Sequence, residues 1–85
     1  MTRIMLTYEE LAEIVSKSAG VRVAPETLES DSVRFEDIEV DSLGLLSIVA
    51  ELERRYRLEL GVEAESSETP RELVDMVNTL TPKGN

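Results

Sequence analysis

From Ser42 to Tyr56 the chain repeats its apolar residues at the period of an α-helix. Leu45, Val49, Leu52 and Tyr56 form the central stripe, Leu46 and Ile48 flank it, and Glu51, Arg54 and Arg55 mark the wet side. Asp41 stands just before this stretch, where a carboxylate accepts from the backbone N–H groups that a helix start leaves free. An amphipathic helix of this kind gains its stability from packing its stripe against other elements, so the rest of the chain has to supply them.

Two further helix starts are written locally. Thr7-Tyr8-Glu9-Glu10 has the Thr-x-x-Glu spacing of a capping box and opens a helix that runs to about Ala19, with Leu11, Ile14, Val15 and Ser18 on one face and Gly20 as its left-handed end. Thr69-Pro70-Arg71-Glu72 repeats the signal with proline at the first helical position, and Leu73, Val77 and Leu80 line one side of a last helix of roughly ten residues. Thr81 to Asn85 reads as a frayed tail. Between the first two helices, Gly20 to Val40 holds neither period, and is expected as a long connection with one helical turn near Phe35 to Ile38. Val23, Leu28, Val33, Phe35 and Ile38 argue that this connection is ordered, since a solvated tail has no use for them. After Tyr56, Leu58, Leu60 and Val62 anchor a less regular stretch, with one more turn expected over Glu63 to Ser66. The fold class is therefore all-α: a small bundle of three main helices plus a short helix, with a long first loop, forming one domain over 1–85 whose ordered core spans about 6–81.

Composition narrows the function by exclusion. Asp and Glu number 18 against 9 Lys and Arg, for a formal net charge of -9. Binding to nucleic acid, which is driven by neutralising phosphates, is not expected, and a basic patch on a partner protein is. The chain has no cysteine and no histidine, which removes disulfides, thiolate nucleophiles, the commonest general base and the commonest transition-metal ligand. Paired carboxylates such as Asp37 and Asp41 would need a substrate cleft that 85 residues hardly build, and Glu36, Asp37, Glu39 and Asp41 read as a solvated acidic face rather than a cation site. No catalytic residue and no metal ligand is assigned. The run Met1 to Leu6 is too short for a signal peptide and no segment reaches transmembrane length, so a cytoplasmic monomer without membrane association is expected.

At Asp41-Ser42-Leu43 the chain resembles the acyl carrier protein family, in which such a tripeptide at the start of the second main helix presents its serine for modification. The resemblance covers nearly the whole length: helix, long loop, Asp-Ser-Leu, an apolar helix ending in Leu-Glu-Arg-Arg-Tyr, and Thr-Pro-Arg-Glu-Leu opening the last helix. Phe35-Glu36-Asp37-Ile38 before the serine and Leu45-Leu46 after it are most similar to the free-standing carriers of bacterial type II polyketide synthases.

The resemblance implies that a phosphopantetheinyl transferase moves 4'-phosphopantetheine from coenzyme A onto Ser42, with Asp41 as helix cap and flanking motif residue. It implies cargo, malonyl units and a growing poly-β-keto chain, handed as thioesters among malonyl transferase, ketosynthase/chain-length factor, and ketoreductase or cyclase. Partner contact is expected at Leu43, Gly44, Ser47, Glu39 and Glu53. Gly44 either permits close approach of a partner or is a tolerated helix defect. Leu43, Leu46 and Ile48 divide between core and partner face, with Ile48 assigned to the core and Leu43 to the partner. Two positions depart from the family pattern: Ser47 stands where many carriers have glutamate, and Glu39 where many have glycine. The alternatives are a fatty-acid or starter-unit carrier, an aminoacyl or peptidyl carrier, and an unmodified interaction module in which Ser42 is only a first-turn serine.

Overall fold

The computed structural model describes residues 6–30 and 32–80. The apolar run of Met1 to Met5, the tail expected over Thr81–Asn85, and Thr81 at the edge of the expected core lie outside the described residues.

Helix α1 spans Tyr8–Ala19 and starts where its cap predicts: Thr7 Oγ1 accepts from the Glu10 N–H at 3.1 Å. The Glu10 carboxylate does not close the expected box. It accepts instead from Tyr56 Oη at 2.5 Å and Arg55 Nη1 at 3.1 Å, because a charged and a phenolic donor brought up by another helix outcompete a local backbone N–H. Gly20, at φ 73°, ends α1 and donates its N–H to Ser16 O.

The connection that follows is more structured than its aperiodic sequence suggests. A five-residue helix, α2, runs from Pro25 to Glu29, and a 3-10 turn occupies Phe35–Ile38. The 3-10 turn is where it was expected; α2 is a correction. It has Pro25 in its first turn and no side-chain cap, and its one fully buried residue, Leu28, is too few to make a period.

Helix α3 spans Ser42–Tyr56, α4 spans Gly61–Glu65, and α5 spans Pro70–Leu80. At the head of α5, Thr69 Oγ1 accepts from the Glu72 N–H at 3.0 Å, and Glu72 Oε1 accepts from the Glu68 N–H at 2.9 Å. The described residues thus form an all-α bundle of three long helices and two short ones, with no strand among them.

The packing runs α1 on α3 and α2, α3 on α4, and α2 on α5. Leu11, Ile14 and Val15 of α1 meet Ile48, Val49 and Leu52 of α3 in a core completed by Leu28, Phe35, Leu73 and Val77. Asn78 ties the two ends together, its Oδ1 accepting from the Leu6 N–H at 2.8 Å and its Nδ2 donating to Leu6 O at 3.2 Å.

Leu46, left open between core and partner face, is exposed on the outer side of α3. Three expectations about faces are corrected. Val62 is exposed because Gly61, at φ 75°, turns the first residues of α4 outward, and Leu60 and Ala64 do the anchoring. Leu80 is exposed because the core closes at Val77, and Val74 takes the inner position instead. Glu51, expected on the wet side, is largely covered, holding Arg55 Nε at 2.7 Å and pairing also with Arg54.

Candidate functional site

The 3-10 turn at Phe35–Ile38 sets up the start of α3. The Arg34 N–H donates to Asp37 Oδ2 at 3.0 Å, and Phe35 is buried. Glu39 then takes φ 64°, reversing the chain so that the Val40 N–H reaches Phe35 O at 3.0 Å and the Val40 side chain enters the core. A glutamate in the left-handed region is uncommon, because glycine alone takes that conformation without a steric cost from Cβ.

Asp41 caps α3 as its sequence position predicts, Oδ1 accepting from the Gly44 N–H at 2.8 Å and its backbone oxygen accepting from the Leu45 N–H at 2.8 Å. Ser42 is therefore the first helical residue and is exposed, and the chain holds no histidine to act as a base for its hydroxyl. The backbone N–H groups at this first turn and the positive end of a four-turn helix favour an anionic group on the serine oxygen. Such a serine is suited to receive a phosphoryl group from another protein, and not to attack substrates unaided.

Beside Ser42 lies an open cavity of about 290 Å³ between the 3-10 turn, the start of α3 and the segment joining α4 to α5. Phe35, Val40 and Leu45 give it an apolar lining; Arg34, Glu65, Ser67 and Glu68 contribute polar groups. Arg34 Nη2 donates to Glu68 Oε1 at 2.6 Å, and the Phe35 N–H donates to Glu68 O at 2.9 Å, so the segment before α5 is fastened to the turn before α3. The Glu68 carboxylate raises the Arg34 pKa above its ordinary value, chiefly through that hydrogen bond. Ser67 is 8% exposed, and its Oγ has no hydrogen-bond partner among the described residues.

The residues expected at a partner face are distributed differently. Leu43, 73% exposed, Leu46 and Ser47 share the outward side of α3 next to Ser42. Ile48 is fully buried. Gly44 faces inward: a Cβ there would stand 3.2 Å from Ala19 Cβ and 3.3 Å from Asp41 Oδ1, so its missing side chain lets α3 approach α1. Glu53 lies near the far end of α3, and its Oε2 accepts from the Leu60 N–H at 2.9 Å, which holds the loop into α4. Glu39 is exposed on the approach to Ser42. Arg34, Ser67 and Glu68 were not singled out from sequence, and no signal there marks them, because only the folding of the α4–α5 segment against the 3-10 turn brings them to Ser42.

Among the described residues no group of three or more acidic side chains gathers as a cation site, and no helix is long and apolar enough to cross a membrane.

The model of the phosphopantetheine attachment site family matches residues 9–77. The curamycin polyketide synthase acyl carrier protein of Streptomyces cyaneus is 44% identical over 79 residues, which are 93% of this chain and 91% of that protein. Two solved structures from Streptomyces coelicolor superpose closely. The actinorhodin holo acyl carrier protein does so with TM-score 0.75, 34% identity and coverage of 94% of this chain and 95% of that one. The malonyl form of the actinorhodin polyketide synthase carrier does so with TM-score 0.74, 36% identity and the same coverages, 94% and 95%.

Proposed function

We propose, on the premise that this chain belongs to the phosphopantetheine attachment family and within it to the acyl carrier proteins, that Ser42 is the residue that bears the 4'-phosphopantetheine arm. The observation that carries this is the place of Ser42: exposed, first in α3, behind the Asp41 cap, and inside the matched region. When attached, the arm supplies a terminal thiol that holds acyl cargo as a thioester.

The chain's own residues position and present. Asp41 fixes the first turn of α3, so the Ser42 hydroxyl is offered at a rigid helix end and not on a mobile loop. During modification the serine oxygen gives its proton to a base of the transferase and takes the phosphorus, while the nucleotide half of coenzyme A leaves. Leu43 and Leu46 give the enzymes that exchange cargo an apolar surface within about one turn of the attachment point, Ser47 sets a hydroxyl beside it, and Glu39 adds negative charge at its edge.

By similarity to the curamycin and actinorhodin carriers, the cargo is a malonyl unit and the poly-β-keto chain built from it. The partners are a phosphopantetheinyl transferase, malonyl transferase, ketosynthase/chain-length factor, and a ketoreductase or cyclase. The chain acts as a non-catalytic subunit, a single carrier domain working as a cytoplasmic monomer.

Intact mass spectrometry after incubation with coenzyme A, magnesium and a broad-specificity transferase tests the assignment. The parent is expected to gain one phosphopantetheine and Ser42→Ala none. An unmodified parent beside a modified control carrier would reject it.

A further inference from the structure

Helical spacing sets the outward stripe of α3: Leu43, Leu46, Ser47, Ala50 and Arg54 follow one another at steps of three and four residues, and each is exposed. From Ser42 to Ala50 no exposed side chain is charged, in a chain whose net charge is -9. The two carboxylates of the helix lie to either side of the stripe and are committed within the molecule. Glu51 holds Arg54 and Arg55 with its two oxygens, and Glu53 Oε2 accepts from the Leu60 N–H at 2.9 Å.

The stripe ends in positive charge. The Arg54 side chain is 77% exposed against 19% for Glu51, so the guanidinium is the outer member of that pair and keeps donors open to solvent. Arg57, the C-cap, sets a second exposed cation beyond it. At the opposite end, Glu36, Asp37, Glu39 and Asp41 are exposed just before Ser42. Over about 18 Å of helix from Ser42 to Arg54, the surface therefore runs from acidic through neutral and apolar to basic. An apolar stripe alone can be gripped in either direction, while unlike charges at its two ends permit one, because the reverse brings like charges together.

Resting on the reading of Ser42 as the attachment point, we propose that this order of charge orients the phosphopantetheinyl transferase, with Arg54 receiving a carboxylate of that enzyme. The transferase is the partner that has to bring its reacting centre onto Ser42 itself, before any arm exists to span a gap. A site that binds the phosphates of coenzyme A is cationic, and its cations face the acidic end of the stripe at Glu36 and Glu39. Leu43 and Leu46 enter an apolar socket, and Ser47 keeps the centre of the contact neutral. Arg54 then fixes the direction of docking from the far end of the helix.

The test measures the rate of arm attachment by intact mass, over a range of carrier concentrations, with coenzyme A, magnesium and a broad-specificity transferase. Parent, Arg54→Gln, Arg54→Lys, Ser47→Glu and Thr79→Glu are compared at low and high salt. Thr79 is exposed on α5, and its substitution changes the net charge as Arg54→Gln does, away from the stripe. Arg54→Gln is expected to raise KM about two- to fivefold at low salt with kcat unchanged. The difference closes at high salt, which a merely structural role of Arg54 would not produce. Arg54→Lys and Thr79→Glu keep the parent KM. Ser47→Glu raises KM about tenfold, since it carries an unpaired carboxylate into the apolar contact. Equal KM values for Arg54→Gln and Thr79→Glu overturn the proposal, and so does a lowered KM for Ser47→Glu, which would put a cation of the transferase over the centre of the stripe. A parent left unmodified beside a modified control carrier overturns the attachment assignment itself, whereas a modified parent with KM indifferent to Arg54 overturns the orientation alone.

Discussion

Glu39 is a residue whose conformation and chemistry disagree. Its φ of 64° costs an L-residue about 1–2 kcal/mol, and nothing in its exposed side chain recovers that within the described structure. The turn tolerates it because the Val40 N–H must reach Phe35 O for Val40 to enter the core. Replacing Glu39 by glycine removes the strain but frees more backbone conformations in the unfolded chain, at about 0.5–1 kcal/mol. The expected net result for Glu39→Gly is a stabilisation of about 0.5–1 kcal/mol. Urea denaturation reads it as a raised midpoint with an unchanged slope, and an unchanged midpoint would mean the strain is relieved elsewhere.

Among the elements, the contact of α1 with α3 decides how Ser42 is presented. Helix propensity alone predicts that Gly44→Ala gains about 1 kcal/mol. The structure predicts otherwise, since the new Cβ would press on Ala19 Cβ at 3.2 Å, a backbone-held atom, and on Asp41 Oδ1, the atom that caps α3. Gly44→Ala is expected to lose roughly 0.5–1 kcal/mol, and thermal denaturation gives the sign directly. A gain would show that α1 can withdraw from α3 at little cost. At the other end of the same pair, Tyr56 and Arg55 both reach Glu10. Burial first, and then the Glu10 hydrogen bond, push the Tyr56 phenol well above its usual pKa, so it stays protonated as the donor in that bond.

For the whole molecule, an excess of nine negative charges opposes compaction, and the Glu51 cluster is one place where ionisation works in its favour. Hydrogen bonds from Arg55 and then Arg54 hold the Glu51 carboxyl below its ordinary pKa. A lowered carboxylate contributes stability that is fully present above the unfolded value, about 4.3, and is lost as pH falls through the folded one. The parent is therefore expected to be more stable than Glu51→Gln at pH 6, with the two converging under acid conditions below the folded value. Denaturation midpoints in steps of pH check it, and a gap independent of pH would mean that the substitution removes packing rather than charge. Modest salt should raise the melting temperature of the parent by screening the repulsion among its acidic residues.

The sequence by itself determined the features settled within four residues of one another. Thr7, Asp41 and Thr69 cap the starts of α1, α3 and α5, and Gly20 ends α1, because a helix terminus satisfies its free backbone groups from neighbours in the chain. The motif at Asp41-Ser42-Leu43 was legible for the same reason. Only the tertiary structure decided the existence of α2, the outward turn of Leu46, Val62 and Leu80, and the inward role of Gly44. It alone turned Glu53 toward Leu60 and gathered Arg34, Ser67 and Glu68 around the cavity at Ser42. These features rest on contacts between different elements, or on how much of a helix face its neighbours cover. Neither is written in the local period, which marks an apolar stripe but not where its cover ends, since that is decided by the apolar area the neighbouring helices can bury.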